Sequence, residues 1–261
     1  MSSYSTIIHF ASQLARKSGR YLLEGFHKRE MAYTNKHRHE IVTKYDIGAE
    51  KIILSAIRKQ FPDHGIYSEE SGREGSRAGY VWVVDPLDGT SNFEIKSPLF
   101  STSITLMYEL YPVLTVVYAP VTKELFVAQS GQGAWLNGRR LRVRPTKQLA
   151  QSFILTCHGH SSSSIKEYSK IHSQMKLRGK ITRQLGSASL ECAYVAAGRV
   201  DGFIFPQPPI WDVAGGALLI WEAGGRVTDF AGRDWNTRSR DFLGSNGLMH
   251  KSFLKEIRAT R

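Results

Sequence analysis

Five consecutive apolar residues, Tyr80-Val81-Trp82-Val83-Val84, run directly into Asp85-Pro86-Leu87-Asp88-Gly89-Thr90. The run is short, β-branched and aromatic, so it reads as a buried strand rather than one side of an amphipathic helix. A strand without a polar face needs cover on both sides. The surrounding segments provide it. Residues 4–26 carry Ile7, Ile8, Ala11, Leu14, Ala15, Tyr21 and Leu22 at helical spacing. Residues 43–61 repeat the pattern with Ile47, Ile52, Ile53, Ala56 and Ile57, until Phe61-Pro62-Asp63 stops it.

Further strands are expected over 101–110, 113–119 and 125–129. Residues 134–136 and 141–143 flank Asn137-Gly138, a type I′ hairpin signal. In the last third, helices are expected over 186–198, 211–223 and 247–259, with strands over 200–205, 226–228 and 242–244. Ser161-Ser162-Ser163-Ser164 reads as a loop. Helices interleaved with strands and hairpins make a layered α/β (α+β) fold the expectation.

Composition narrows the function. Lys+Arg 35 against Asp+Glu 23 leaves a formal charge of +12, which favours anionic partners: phosphorylated metabolites, nucleic acid or acidic lipid. Two cysteines, Cys157 and Cys192, make neither a disulfide framework nor a cysteine zinc site. No apolar run reaches the roughly 18 residues of a membrane span, and the first ten residues lack the pattern of a signal peptide. A cytoplasmic protein without membrane attachment is the expectation.

The acidic residues are placed unevenly. Glu69 and Glu70 fall in the polar turn Tyr67-Ser68-Glu69-Glu70-Ser71-Gly72. Asp85 and Asp88 leave the apolar strand three residues apart around Pro86. Asp212 opens the helix Trp211-Asp212-Val213-Ala214-Gly215-Gly216. Gly89 and Thr90 follow Asp88 with backbone N–H groups at a helix start, a seat for phosphate. Hard oxygen ligands without His or Cys suit Mg²⁺. Carboxylates beside a phosphate seat point to metal-assisted attack of water on a phosphate ester.

These motifs resemble the inositol monophosphatase family. The likeness is carried by Ser68-Glu69-Glu70-Ser71, by the run from Trp82 through Asp85-Pro86-Leu87-Asp88-Gly89-Thr90 to Phe93, and by Trp211 to Gly216 with Glu222-Ala223-Gly224-Gly225. Ile41-Val42-Thr43-Lys44-Tyr45-Asp46, Gly133 to Gly138 and Gly186-Ser187-Ala188 add to it. The resemblance implies an α/β/α/β/α sandwich and one catalytic domain over residues 1–261. Its first half, 1–145, would carry most metal ligands; its second, 146–261, would carry Asp212 and substrate-side residues.

Further implications concern the site. Glu69, Asp85, the Leu87 carbonyl, Asp88 and Asp212 would hold two or three Mg²⁺ ions. Glu69 and Thr90 would orient and deprotonate water, and Gly89 and Thr90 would bind phosphate. Ser187, Ala188 and Asp212 would meet the alcohol half of the substrate. Lys36 and Asp46 would approach the site, and Glu70 would stand behind the ligands or on the substrate side. Phe205 occupies the position, seven before Asp212, where inositol phosphatases often carry a hydroxyl-binding Glu.

The implied substrate is a small phosphorylated polyol or sugar, foremost inositol 1-phosphate. Fructose 1,6-bisphosphate, a 3′-phosphonucleotide and histidinol phosphate are the rivals. A homodimer and inhibition by Li⁺ are family expectations. Two other segments stand apart from this reading. Cys157-His158-Gly159-His160 lacks zinc-site spacing and reads as structural or surface. Arg140, Arg142 and Arg144 would share one strand face. With Arg139, Lys147, Lys28, Arg29 and Arg38, they motivate an RNA- or ribosome-associated alternative. That alternative is disfavoured because no aromatic residues are interleaved for stacking.

Overall fold

The apolar spacing of the N-terminal segment is realised as helix α1 (Tyr4–Phe26), which buries Ile7, Ala11, Leu14, Ala15 and Leu22. A computed structural model describes residues 4–28, 33–37, 40–75, 79–178 and 181–260, without the side chains of 33–37, 40 and 41. Arg29, Arg38 and the Lys36 side chain therefore lie outside the described residues. After α1 come β1 (Tyr33–His37), β2 (Glu40–Thr43), α2 (Lys44–Gln60), β3 (Gly65–Ser68), β4 (Gly72–Glu74), β5 (Tyr80–Asp88) and α3 (Thr90–Glu94). Then follow β6 (Ser101–Tyr108), β7 (Tyr111–Ala119), β8 (Glu124–Gln129), β9 (Gly133–Leu136) and β10 (Arg139–Arg140). The remainder is β11 (Phe153–Thr156), α4 (Ser162–Leu177), β12 (Ile181–Arg183), α5 (Ala188–Ala196), β13 (Gly202–Pro206), α6 (Ile210–Glu222), β14 (Arg226–Thr228), β15 (Asp241–Ser245) and α7 (His250–Arg258).

Two sheets organise these elements, apart from the β1–β2 hairpin. One has eight strands in the order β10-β9-β8-β7-β6-β5-β3-β4; the other has five in the order β12-β11-β13-β15-β14. Strand β5 shows why its sequence has no polar face. Trp82 and Val84 pack with Ile7, Leu14, Ile53 and Ile57 of α1 and α2, whereas Val83 joins the core on the other face. That inner core contains Leu190 and Val195 of α5, Ala217 and Leu219 of α6, and Phe203, Phe205 and Phe242 of the second sheet. On the far side of the second sheet, Ile171 and Met175 of α4 and Phe253 and Ile257 of α7 pack with Ile154, Ile204 and Leu243. The layers are therefore α1α2, sheet, α5α6, sheet, α4α7, the five-layer α/β/α/β/α sandwich the sequence implied.

The middle layer is thin because α6 presents glycine. A Cβ on Gly215 would collide with the Thr115 and Thr105 hydroxyls of the large sheet. One on Gly216 would collide with Cys192 of α5.

Three local expectations change. Asn137 and Gly138 both have positive φ, as a type I′ turn requires, but the second hairpin strand is Arg139–Arg140 rather than 141–143. Arg142 and Arg144 consequently lie beyond the strand, and the single basic face is not formed. Arg144 instead covers the Phe153 ring at 5.1 Å and lies 3.9 Å from Asp201. The serine run is no loop: Ser161 caps α4, its hydroxyl accepting from the Ser164 N–H at 3.1 Å. Serine favours that cap position because its side chain satisfies an otherwise unpaired helix donor. Among the described residues, no helix is long and apolar enough to cross a membrane.

Candidate active site

Strand β5 does not end at Val84. Its antiparallel pairing with β6 is regular through Asp85–Ser103, then slips before resuming at Asp88–Ser101. Pro86 has no N–H to give the ladder, so the strand bulges there and carries both aspartates inward. Asp85 and Asp88 are 2% and 6% exposed. Gly89 turns the chain into α3 with φ +94°, and a Cβ there would lie 3.0 Å from the carbonyl oxygens of Gly186 and Leu99. Only glycine makes that turn without strain.

A cavity of about 360 Å³ opens at this point. Its wall brings together Glu69, Asp85, Leu87, Asp88, Gly89, Thr90, Ala188 and Asp212 from four separate segments. Four of the expected positions lie off that wall. Glu70 is half-buried beside it. Asp46 is buried but reaches the cavity indirectly, its Oδ1 accepting from the Thr90 hydroxyl at 2.9 Å. Its Oδ2 accepts from the Thr43 N–H and hydroxyl at 2.7 and 2.6 Å, which caps α2 and fixes the carboxylate.

Ser187 is wholly buried, and its hydroxyl donates to Asp88 at 2.6 Å. It holds Asp88 from behind and is not part of the cavity wall. Phe205 is 1% exposed; one residue from Ile204 and two from Phe203, it shares the face of β13 that packs on α5 and α6. The phenyl ring fills the core and makes no part of the cavity wall.

Asp88 is the most thoroughly held of the acids. Besides Ser187 it accepts from the N–H groups of Ala188 and Ser189 at 3.0 and 2.8 Å and from Ser101 at 3.2 Å. The first turn of α5 thus closes on a carboxylate nearly one hundred residues earlier, where the helix dipole favours negative charge. Burial raises the pKa of Asp88, and these donors act against that rise. Asp85 has less relief: burial first, then the charges of Glu69, Asp88 and Asp212, push it well above the ordinary carboxylate range.

So many carboxylates around one cavity are relieved by protonation or by a bound cation. Among the described residues no Lys or Arg lines it. No three His, Cys, Asp or Glu side chains close on a single point either. The donor chemistry of the wall, carboxylate and carbonyl oxygens, fits Mg²⁺, which is commonly held through one or two carboxylates and keeps several waters. Zinc, by contrast, takes a closed set of nitrogen and sulfur ligands.

Sequence reasoning missed the rest of the wall. Cys157, His158 and His160 line the cavity together with Ile165 and Gln184. Cys-His-Gly-His was the available signal, and lack of metal spacing hid a different use. Behind this wall Glu191 of α5 is fully buried and accepts from the Leu185 N–H at 2.7 Å. Burial holds its carboxyl well above its ordinary range. The unfolded chain releases that proton near pH 4.3, so native stability falls as pH rises from there toward the folded pKa. Glu191→Gln cannot titrate. Its melting temperature is expected to gain on the wild type as pH rises from about 4 toward the native carboxyl's own pKa. Parallel curves across that range would show that Glu191 is charged in the native protein.

Fold and cavity together define a five-layer α/β sandwich with an acidic cavity at the bulged end of a central strand. The inositol monophosphatase family model matches residues 3–261. The chain belongs to that family. It is 37% identical over 250 residues to a protein of Thermotoga maritima named fructose-1,6-bisphosphatase/inositol-1-monophosphatase, covering 96% of this chain and 95% of the relative. It is 38% identical over 255 residues to the Nus factor SuhB of Vibrio cholerae, covering 97% and 96%. The solved structure of an IMPase from Thermotoga maritima superposes with a TM-score of 0.89 at 36% identity, covering 98% of both chains.

Proposed function

We propose that this chain is a Mg²⁺-dependent phosphomonoesterase acting on a small phosphorylated polyol or sugar, foremost inositol 1-phosphate. The observation that carries the reading is the convergence of Glu69, Asp85, Asp88 and Asp212 on one cavity beside Gly89 and Thr90. Glu69, Asp85, the Leu87 carbonyl, Asp88 and Asp212 would hold two or three ions. Bound Mg²⁺ would lower the pKa of water and offset charge on the ester and the departing alcohol oxygen.

The chain's own groups do the positioning. Backbone N–H groups of Gly89 and Thr90, free at the start of α3, would seat phosphate oxygens. The Thr90 hydroxyl has one hydrogen and two neighbours, Asp46 Oδ1 at 2.9 Å and the Leu87 carbonyl at 3.1 Å. Donating to the carboxylate, the stronger acceptor, leaves the Thr90 oxygen free to accept from a water. Glu69, on the same wall, would take that water's proton. Attack in line then needs no covalent enzyme intermediate. One domain over residues 1–261, working as a homodimer, completes the reading.

Phosphate release should be measured from inositol 1-phosphate, fructose 1,6-bisphosphate, 3′-phosphoadenosine 5′-phosphate and histidinol phosphate, each with and without chelator. Chelator-sensitive release, fastest with inositol 1-phosphate, is the expected result. Absence of metal-dependent release from all four would remove the reading.

A second reading has its own support. Relatives at 36–38% identity carry the name Nus factor SuhB, and the chain's +12 charge suits an RNA or transcription-complex partner. Arg140→Glu with Arg142→Glu would weaken RNA retention in a filter-binding assay if this role operates, and would leave ester hydrolysis unchanged.

A further inference from the structure

One aromatic residue organises the part of the cavity wall that carries no carboxylate. Tyr168 of α4 meets His158 edge-on, with ring centroids 4.8 Å apart at 62°, and its hydroxyl donates to Gln184 Oε1 at 3.0 Å. His158 and Gln184 both line the cavity. His158 Nδ1 lies 3.0 Å from the Gly159 carbonyl oxygen. A carbonyl only accepts, so Nδ1 carries the hydrogen and the neutral ring offers Nε2 as an acceptor. Gln184, its oxygen engaged by Tyr168, offers amide N–H donors.

The wall therefore presents an acceptor and a donor, each oriented through the same tyrosine. A hydroxyl group both donates and accepts, and so satisfies both. Ile165, from the same helix, lines the cavity too and suits the carbon skeleton of a ring.

We propose that His158 and Gln184, oriented by Tyr168, read a hydroxyl on the alcohol half of the substrate. This rests on the phosphatase reading and names the residues that give it selectivity. Phe205, turned into the core, cannot make that contact, and His158 supplies the acceptor from a different strand end. No chemical step is assigned to His158 or Gln184; they bind and orient.

The test compares kcat/KM for inositol 1-phosphate with that for phenyl phosphate, which has no hydroxyl, at saturating Mg²⁺. His158→Phe keeps an aromatic ring against Tyr168 and removes the acceptor. Its ratio of polyol ester to phenyl ester should fall about tenfold, the worth of one neutral hydrogen bond. His158→Asn, which restores an acceptor, should recover part of the ratio. Tyr168→Phe, keeping the ring contact but releasing Gln184, should show a smaller fall in the same direction.

An unchanged ratio in His158→Phe overturns the proposal. A wild-type chain that hydrolyses phenyl phosphate with no preference for the polyol ester also overturns it, while leaving the phosphatase reading intact. One that hydrolyses neither ester overturns it too, and removes the phosphatase reading itself if the other three panel esters are also untouched.

Discussion

Asp88→Asn is expected to lower Mg²⁺-dependent phosphate release at least ~10³-fold, with part of that loss arising from geometry rather than charge. Asp88 Oδ1 accepts from the Ala188 N–H, and Oδ2 from the Ser189 N–H, Ser187 and Ser101. Asparagine has one oxygen and one amide nitrogen. Whichever way it turns, the amide faces a backbone N–H, and two donors are set against each other. Leaving a buried donor unsatisfied costs about 1–3 kcal/mol. Thermal stability should therefore fall with activity, and the α5 start should move away. The negative charge offered to a metal is lost as well. Kinetics and a melting curve on the same preparation read the two contributions: Asp88→Ala removes both acceptor oxygens and leaves the Ala188 and Ser189 N–H groups without them, so it should lose activity equally and stability at least as much. Full Mg²⁺-dependent activity in Asp88→Asn would remove Asp88 from the ligand set. RNA retention, if the chain has it, should survive the substitution, because Asp88 is buried and faces the cavity.

What could be read from the sequence was whatever is local. Asp85-Pro86-Leu87-Asp88-Gly89-Thr90 holds two acids, a bulge-forming proline and a left-handed glycine within six residues, so its geometry is nearly self-contained. Helix α2 was legible from its apolar spacing and its Phe61-Pro62-Asp63 stop; its cap Thr43 and capping partner Asp46, three residues apart, are equally local. The contacts that complete the site span long separations. Thr90 meets Asp46 across 44 residues, and Asp88 meets the α5 start across about 100. No periodicity announces such a pairing.

Side-chain direction was a second blind spot. Phe205 is followed by a proline-rich stretch leading to Asp212, but the two-residue repeat of β13 decides where its ring goes, and that repeat points it into the core. Strand β13 could be expected from its apolar residues; which face would meet α5 and α6 required the second sheet. His158 was passed over because a histidine is tested first as a metal ligand, whereas here a tyrosine from the next helix gives it its place.

Thr90→Val should lower kcat by about 10²- to 10⁴-fold with little change in KM, the range for removing a group that positions or moves a proton in the reacting complex. Valine keeps the shape of threonine and the backbone N–H groups that would seat phosphate, so ground-state binding is spared. What disappears is the hydroxyl between Asp46 and the cavity. Thr90→Ser retains that hydroxyl and should keep most of the rate, less a modest loss from the freer rotamer. Asp46→Asn is more complex. Its Oδ2 also accepts from the Thr43 N–H and hydroxyl, so the variant weakens the α2 cap, worth about 1 kcal/mol, along with the Thr90 contact. Stability should therefore drop in Asp46→Asn and not in Thr90→Val, while both lower kcat. The decisive measurement is the double variant. If Asp46 acts through Thr90, Asp46→Asn adds little further loss of kcat once Thr90 is valine, because residues in one hydrogen-bond chain are not additive. Multiplication of the two single losses would mean that Asp46 reaches the reaction independently of Thr90. In that case its contact with the hydroxyl would be structural, and Thr90 would act on the water without it.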